Sequence, residues 1–185
     1  LYFEDSCYND LLLRDGEVSS GGHHIDYGCG IRVLKGEKTG YAYSESTDLG
    51  SLLGAAKAAA AISQASNNAA PLALPPCGIP AGNFYPMERD WSLAAVSEVV
   101  PFLKRIGGAI TSREPRAIKV MATLSYSISH ILMYNSLGEL SSDTRPLGSL
   151  SVSAVFKQGE RIEKQQAGLS FRQGSEMISD ANLEY

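Results

Sequence analysis

Strict two-residue alternation of apolar and polar side chains is the feature that most limits the fold of this chain. The apolar members of the two clearest runs are Ile25, Tyr27, Cys29, Ile31 and Val33, and Ile118, Val120, Ala122, Leu124 and Tyr126. Because side chains of a strand point alternately to opposite faces, each run predicts a β-strand with one buried face. This pattern is typical of an antiparallel sheet that is covered on one side.

Turn-forming residues separate further strand segments. Asp15-Gly16 is a strong hairpin signal, and Lys35–Lys38, Asn135–Gly138 and Lys157–Glu160 are expected to be turns as well. These turns predict strands before and after each of them, including segments near residues 39–44, 129–134, 147–156 and 161–169. The chain is therefore rich in β-hairpins at both ends.

Two segments have helical spacing instead. Ser46-Thr47-Asp48 can cap a helix that begins near Leu49 and fades by residues 66–68. A second helix is expected from about Asp90 or Ser92 to Ile106, with Gly107-Gly108 ending it. Pro101 predicts a kink or a break within that second helix.

The segment between the helices has a different composition. Residues 58–87 contain no Asp, Glu, Lys or Arg, and five prolines lie between residues 71 and 86. Proline disfavours regular structure, so we expect a Pro/Ala-rich loop over about residues 67–88. The element order does not alternate strand with helix. It predicts an α+β fold in which two main helices pack on one face of an antiparallel sheet, with residues 1–185 forming one domain.

Composition argues against several classes of protein. A net charge of -4 over 185 residues gives no sign of the basic face that nucleic-acid modules carry, and 44% hydrophobic residues are too many for a disordered chain. The sequence has no apolar run near the ~20 residues that span a bilayer. Three cysteines, Cys7, Cys29 and Cys77, do not suggest a disulfide framework, which favours a reducing, cytoplasmic location.

Local motifs do not assemble an active site. His23-His24 with Asp26 is the only local group of metal-type ligands, but His23 would point away from the other two on a strand. We interpret these imidazoles as exposed and His130 as structural. Cys29 has no nearby base that would activate a thiol. We therefore assign no catalytic and no metal-binding residue to this chain.

Five residues are candidates for structural roles. Asp143 and Arg145 precede Pro146, which is typical of an ion pair that ties a loop at a strand end. Gly28 and Gly30 remove side chains from one strand face, so a helix or a neighbouring backbone is expected to approach closely there.

Six segments of the sequence, taken in order, form a recognisable pattern: Leu12–Val18, Gly28–Val33, Gly36–Ser44, Ala55–Ala58, Asn135–Leu147 and Leu150–Val155. Together these segments resemble the N-terminal domain of the TldD/PmbA (TldD/TldE) zinc metallopeptidase family. The stretch Gly40–Ser44 is closer to the TldD branch of that family. Near the end, Gln165–Ile178 stands where the family usually has a glycine-rich run.

The resemblance implies a cytoplasmic, zinc-dependent peptidase of about twice this length or more, which cleaves unfolded or extended peptides or matures peptide antibiotics. Its zinc ligands would be two histidines of an H-E-x-x-x-H helix and a distant cysteine. None of these positions lies in residues 1–185, so the resemblance implies a separate C-terminal catalytic domain. It also implies a second subunit, either a copy of the same chain or a metal-free PmbA/TldE-type partner. An older name for such proteins is modulator of DNA gyrase.

We therefore expect a chain that is cut at both ends and acts as scaffold, dimerisation and substrate-cavity half of such a peptidase, inactive alone. The alternatives are a non-catalytic peptide-binding or assembly module and the metal-free partner subunit. An H-E-x-x-x-H motif encoded after Tyr185 would distinguish the peptidase from these two alternatives. The expected partners are the C-terminal domain, a second subunit and a peptide, without nucleic acid or membrane.

Overall fold

The computed structural model describes residues 1–63 and 84–179. The strands are β1 (Tyr2–Arg14), β2 (Glu17–Lys35), β3 (Lys38–Ser44), β4 (Ala117–Tyr134), β5 (Leu140–Gln158) and β6 (Arg161–Phe171). The helices are α1 (Leu49–Ser63) and α2 (Val96–Arg113), and single 3₁₀ turns occur at Trp91–Leu93 and Ser175–Met177.

The strands form one six-stranded antiparallel sheet in the order β3-β2-β1-β4-β5-β6. Chain neighbours are mostly sheet neighbours, as expected when tight turns connect antiparallel strands. The sheet and two helices confirm the predicted α+β fold. Neither helix in the described residues combines the length and apolar character needed to cross a bilayer.

Contacts group the described residues into two compact units. The first unit takes its residues from 1–6, 25–84 and 129–144, and the second from 7–24, 85–128 and 145–185. Strands β1, β2, β4 and β5 each contribute residues to both units. The single domain expected over residues 1–185 stays a prediction.

The core of the first unit lies between its strands and α1. Cys29, Ile31 and Ala59 are buried, and Phe3, Val33, Ala42 and Leu52 are among the side chains that pack against them. Asp48 caps α1, because its carboxylate accepts a hydrogen bond of 3.0 Å from the Ser51 amide. Of the three residues that the sequence offered as a cap, Ser46, Thr47 and Asp48, the acid therefore serves as the cap.

The second unit has a larger aromatic core. Trp91 is buried at 1% exposure and stacks on Tyr126, with ring centroids 4.4 Å apart. Its indole N–H donates a 2.7 Å hydrogen bond to the Gln173 carbonyl, which satisfies the one polar group of the ring. Leu103 from α2 and Leu124 from β4 are also fully buried in this cluster.

The predicted hairpin turns are confirmed. Asp15 and Gly16 have φ of 52° and 83°, the left-handed conformation that a two-residue hairpin turn requires at both positions. Gly36 and Gly159 have φ of 56° and 61° in the turns that follow β2 and β5. Each turn forms where the sequence placed it, because these residues adopt positive φ with little steric cost.

Other boundaries were wrong. Helix α2 begins at Val96, because Asp90 caps the separate 3₁₀ turn at Trp91–Leu93. It then continues through Pro101 and Gly107-Gly108 to Arg113. Burial of Phe102 and Leu103, each contributing roughly 1.5–3 kcal/mol, outweighs the helix-breaking tendency of the proline.

The strand boundaries near the second half of the chain also differ. β4 is continuous where two strands were expected, and β5 begins at Leu140 rather than near residue 147. Long antiparallel ladders extend strands beyond the residues whose side chains alternate clearly. The expected loop lies mostly outside the described residues, which do not include residues 67–83. The expected end of α1 near residues 66–68 also lies outside them. Residues 84–88 contain no helix or strand.

Candidate functional site

The two glycines of β2 lie where a neighbour approaches closely. A Cβ atom at Gly28 would lie 2.7 Å from the Ser44 carbonyl oxygen, and one at Gly30 would lie 2.6 Å from the Tyr41 hydroxyl. Both contacts are too short for a real side chain. The neighbour is therefore β3, which approaches Gly28 with its backbone and Gly30 with a tyrosine side chain. The structural role assigned to the two glycines from the sequence stays a prediction.

Asp143, Arg145 and Pro146 lie inside β5, not in a loop at a strand end. Asp143 is half-buried, Arg145 is exposed and Pro146 is fully buried. The three residues were expected to tie a loop at a strand end, but the sheet accommodates all of them within one long strand. The structural role assigned to these three residues from the sequence stays a prediction.

His23 meets two side chains that the sequence did not place beside it. Its Nδ1 atom lies 2.8 Å from Asn9 Oδ1 and 3.8 Å from Cys7 Sγ. The hairpin at Asp15-Gly16 brings these strands together, so its register was the signal that could have revealed the group. Both contacts use one ring nitrogen, whereas a nucleophile–base–orienter relay needs the two ring nitrogens to serve different partners.

The remaining histidines and the buried cysteine show no catalytic arrangement. His24 stacks on Tyr8 with centroids 4.5 Å apart, and the exposed His130 has Nδ1 3.3 Å from Thr144 Oγ1. Burial raises the pKa of the Cys29 thiol, which disfavours the reactive thiolate. Cys77 lies outside the described residues.

A zinc site does not fit the described part of the chain. Within residues 1–63 and 84–179, no group of three or more His, Cys, Asp or Glu side chains could hold a metal ion. Cys7 and His23 supply only two such ligands, and tetrahedral zinc takes three or four.

The outer strand β6 is the most accessible extended element. It pairs with β5 along its whole length, from Gln158↔Arg161 to Gly148↔Phe171, and it is last in the sheet order. Residues 161–170 are exposed on both faces of the strand. Among the described residues, no strand pairs with the other side of β6, so its outward N–H and C=O groups can accept a further strand.

These features define an α+β fold with an open strand edge and, in its described residues, no assembled catalytic group. Residues 1–63 match the PmbA/TldA metallopeptidase domain 1, and residues 89–184 match the PmbA/TldA metallopeptidase central domain. The chain belongs to the PmbA/TldD metallopeptidase family, which confirms the resemblance seen in its sequence.

Curated relatives agree with this assignment. The chain is 31% identical over 176 residues to the metalloprotease TldD homolog of Haemophilus influenzae, a match covering 94% of the chain and 36% of the relative. It is 30% identical over 170 residues to the metalloprotease TldD homolog of Buchnera aphidicola from Acyrthosiphon pisum, a match covering 91% of the chain and 34% of the relative. The chain thus spans about a third of the length of these relatives.

Solved structures share the fold. A Thermotoga maritima protein described as a candidate modulator of a DNA gyrase has a TM-score of 0.69 at 16% identity, covering 98% of this chain and 41% of that protein. TldE from Thermococcus kodakarensis has a TM-score of 0.57 at 16% identity, and the match covers 99% of this chain and 42% of TldE. At such low identity these likenesses establish the fold alone.

Proposed function

We propose that this chain is the scaffold and substrate-cavity half of a cytoplasmic, TldD-like, zinc-dependent metallopeptidase that acts on extended or unfolded peptides. Family membership supports the reaction class. The observation that carries the role of this chain is the open outer edge of β6, exposed over residues 161–170.

The edge of β6 can bind a peptide as an added strand. Main-chain hydrogen bonds would supply affinity, and they are the same for every residue except proline. Because both faces of β6 are exposed, side chains of the bound peptide would meet little steric selection. This arrangement favours broad specificity for extended chains over recognition of one sequence.

Zinc ligands of the proposed peptidase lie outside residues 1–185. The described residues do not offer a zinc set, so the contribution of this chain is to bind and orient the peptide. We further propose assembly with the C-terminal catalytic domain and with a second subunit, either a copy of the chain or a TldE-type partner. The fold shared with TldE supports a related subunit architecture.

Proline substitutions at two adjacent β6 positions test edge binding in the native protein that carries this chain. Neighbouring residues of an edge strand direct their N–H groups to opposite sides of the strand. One of the two substitutions, Gln165→Pro or Gln166→Pro, therefore removes an N–H group that bonds to β5 and breaks the β5–β6 ladder. The other removes an outward donor and keeps the ladder. We expect the better-folded of the two proline variants to hydrolyse an unfolded peptide with a higher KM than the native protein and with little change in kcat.

Gln165→Ala and Gln166→Ala are matched controls, because they keep the backbone N–H. Equal KM values for the better-folded proline variant and its alanine control would overturn edge binding.

Residues 1–185 alone provide a second test of the assignment. We expect this segment to hold less than stoichiometric zinc and to hydrolyse no peptide; about one tightly held zinc per chain in metal analysis would contradict the proposal.

A non-catalytic peptide-binding or assembly module, or a metal-free TldE-type subunit, is the alternative. The lack of a three-ligand metal group among the described residues is compatible with both. Peptide hydrolysis that a chelator abolishes and added zinc restores would support the peptidase. Peptide binding without any hydrolysis by the native protein would support the alternative.

A further inference from the structure

Three side chains with ligand-type atoms meet where β1 pairs with β2, within the second unit. Cys7 and Asn9 lie two residues apart on β1, and His23 lies on β2. His23 Nδ1 is 2.8 Å from Asn9 Oδ1 and 3.8 Å from Cys7 Sγ, and Asn9 Nδ2 donates a 3.5 Å hydrogen bond to that sulfur. The thiol–imidazole pair, as we name Cys7 and His23, therefore brings one sulfur and one ring nitrogen to the same point.

Neighbouring contacts hold the two side chains of this pair in place. Cys7 is half-buried and packs against the aromatic core of the second unit, which limits the movement of its sulfur. Tyr8 stacks on His24 with ring centroids 4.5 Å apart. Because neighbouring residues of a strand point to opposite faces, this stack lies on the other face and holds the same strand register. His23 itself is exposed, so a dissolved ion can reach the pair.

The separation of the sulfur and the nitrogen matches that of two ligands of one metal ion. Metal–sulfur and metal–nitrogen bonds are roughly 2.3 and 2.0–2.1 Å long, so the two ligand atoms lie roughly 3.6 Å apart in tetrahedral and roughly 4.4 Å apart in linear coordination. The observed 3.8 Å falls between these values. An ion between Cys7 Sγ and His23 Nδ1 therefore requires a small rotation of side chains and no change in strand register.

The number and kind of ligands select the class of ion. Zinc takes three or four protein ligands, and the pair offers two. Thiolates are soft ligands that select Cu(I), and imidazole also binds copper, whereas magnesium and calcium prefer oxygen ligands. A monovalent d¹⁰ ion is stable with two ligands in a near-linear arrangement. The pair therefore favours a soft monovalent cation over zinc, magnesium or calcium.

We propose that Cys7 Sγ and His23 Nδ1 bind one Cu(I) ion. Because the Asn9 amide oxygen only accepts hydrogen bonds, Nδ1 carries a proton in the ion-free arrangement. Binding moves the imidazole proton to Nε2 through solvent and releases the thiol proton, so one proton leaves per ion and no electron is transferred. Asn9 is a positioning residue, because its Nδ2 group still donates to the thiolate. The inference does not depend on the proposed function.

Competition for Cu(I) in the native protein that carries this chain tests the proposal. The probe is Cu(I) under anaerobic conditions, buffered by the chromophoric chelator bicinchoninate, and the readout is the Kd and the number of ions bound. Cys7→Ser and His23→Asn should each remove one equivalent of Cu(I) or weaken it at least about 100-fold, since loss of an outer-shell partner alone costs about 10–100-fold. Asn9→Ala should weaken it about 10-fold for that reason.

His24→Asn is the matched control, because it changes the same residue type one position further along β2, on the opposite face. Its Cu(I) affinity should stay within about threefold of the native value, since His24 is not a ligand of the proposed ion. Other thiols of the native protein contribute equally to all four variants. The comparison among variants therefore isolates the thiol–imidazole pair.

Alkylation provides a measurement that identifies the site directly. Saturating Cu(I) should protect Cys7 from N-ethylmaleimide in the native protein and in the His24→Asn variant, but not in the His23→Asn variant. Ag(I), a monovalent d¹⁰ ion that undergoes no redox change under these conditions, should protect it as well, and zinc at the same concentration should not. Mass spectrometry of proteolytic peptides reads Cys7 separately from the other cysteines.

Each outcome decides for or against the site. Equal Cu(I) affinity in the native protein and in the Cys7→Ser and His23→Asn variants would overturn the proposal, as would protection of Cys7 by zinc as strong as that by Cu(I). Loss of binding in Cys7→Ser but not in His23→Asn would show a cysteine acting without the imidazole, which also contradicts it. If Cys7→Ser does not fold, by circular dichroism, the exposed His23→Asn variant and its control decide alone.

Discussion

Gly40 is the position where α1 packs most closely on β3. A Cβ atom there would overlap the Ala59 carbonyl oxygen and would lie 2.8 Å from the Ala59 carbonyl carbon and 2.9 Å from the Ser63 amide nitrogen. All three atoms belong to helix backbone, which cannot rotate away as a side chain would. Gly40→Ala therefore requires α1 to move as a body by more than about 1 Å, and we expect overpacking to cost about 3 kcal/mol, the upper part of the usual range.

A second glycine-to-alanine substitution, in α1 itself, should have the opposite effect on stability. Gly54 lies in α1 and is exposed, and a Cβ atom added to it would have no neighbouring atom within 4 Å. Gly54→Ala should raise the free energy of unfolding by about 0.5–1 kcal/mol, because alanine loses less backbone entropy in a helix. The two substitutions add one identical methyl group, but only the one at Gly40 meets helix backbone, so opposite signs of the two shifts are the result expected from that contact.

Urea unfolding of both variants, followed by circular dichroism at 222 nm, measures these changes. Amide hydrogen exchange in α1 shows whether the stability lost in the Gly40→Ala variant is lost locally in the helix or across the whole protein. A Gly40→Ala variant within about 0.5 kcal/mol of the native protein would refute the argument, as would equal shifts of the same sign in both variants.

Two further predictions concern single interactions. Arg116 hydrogen-bonds Glu114 and lowers the pKa of its carboxyl from 4.5 to about 2, so any stabilisation from this pair is present above the ordinary pKa and is lost as pH falls towards 2. Arg116→Gln should return the Glu114 pKa towards 4.5 in a carbon-13 NMR titration, and an unchanged value would contradict this cause. Trp91→Phe should lower the free energy of unfolding by about 2–3 kcal/mol, because it leaves a cavity and an unpaired carbonyl at Gln173. A loss below about 1 kcal/mol in urea unfolding would show that the core readjusts around the smaller ring.

Much of the sheet could be predicted because its signals are local. Asp15-Gly16 and Gly36 favour positive φ whatever surrounds them, and the alternation of residues 120–126 defines one buried face without reference to a partner. The alternation was wrong at the ends of its two runs, because Ile25, Tyr27 and Ile118 are exposed. The family resemblance followed from such segments in order. No local pattern, however, revealed that Asn9 and Cys7 meet His23, because that contact depends on the register of β1 against β2.

The amino-acid sequence by itself determined the strands, their turns and the lack of a recognisable catalytic motif, because these depend on backbone preference and on the residue types present. Tertiary structure decided where α2 ends, since burial of Phe102 and Leu103 holds a helix through Pro101 and the glycine pair beyond it. It also decided which ligand atoms meet. Cys7 Sγ and His23 Nδ1 become neighbours only when β1 and β2 pair in one register, and that register is a property of the folded sheet.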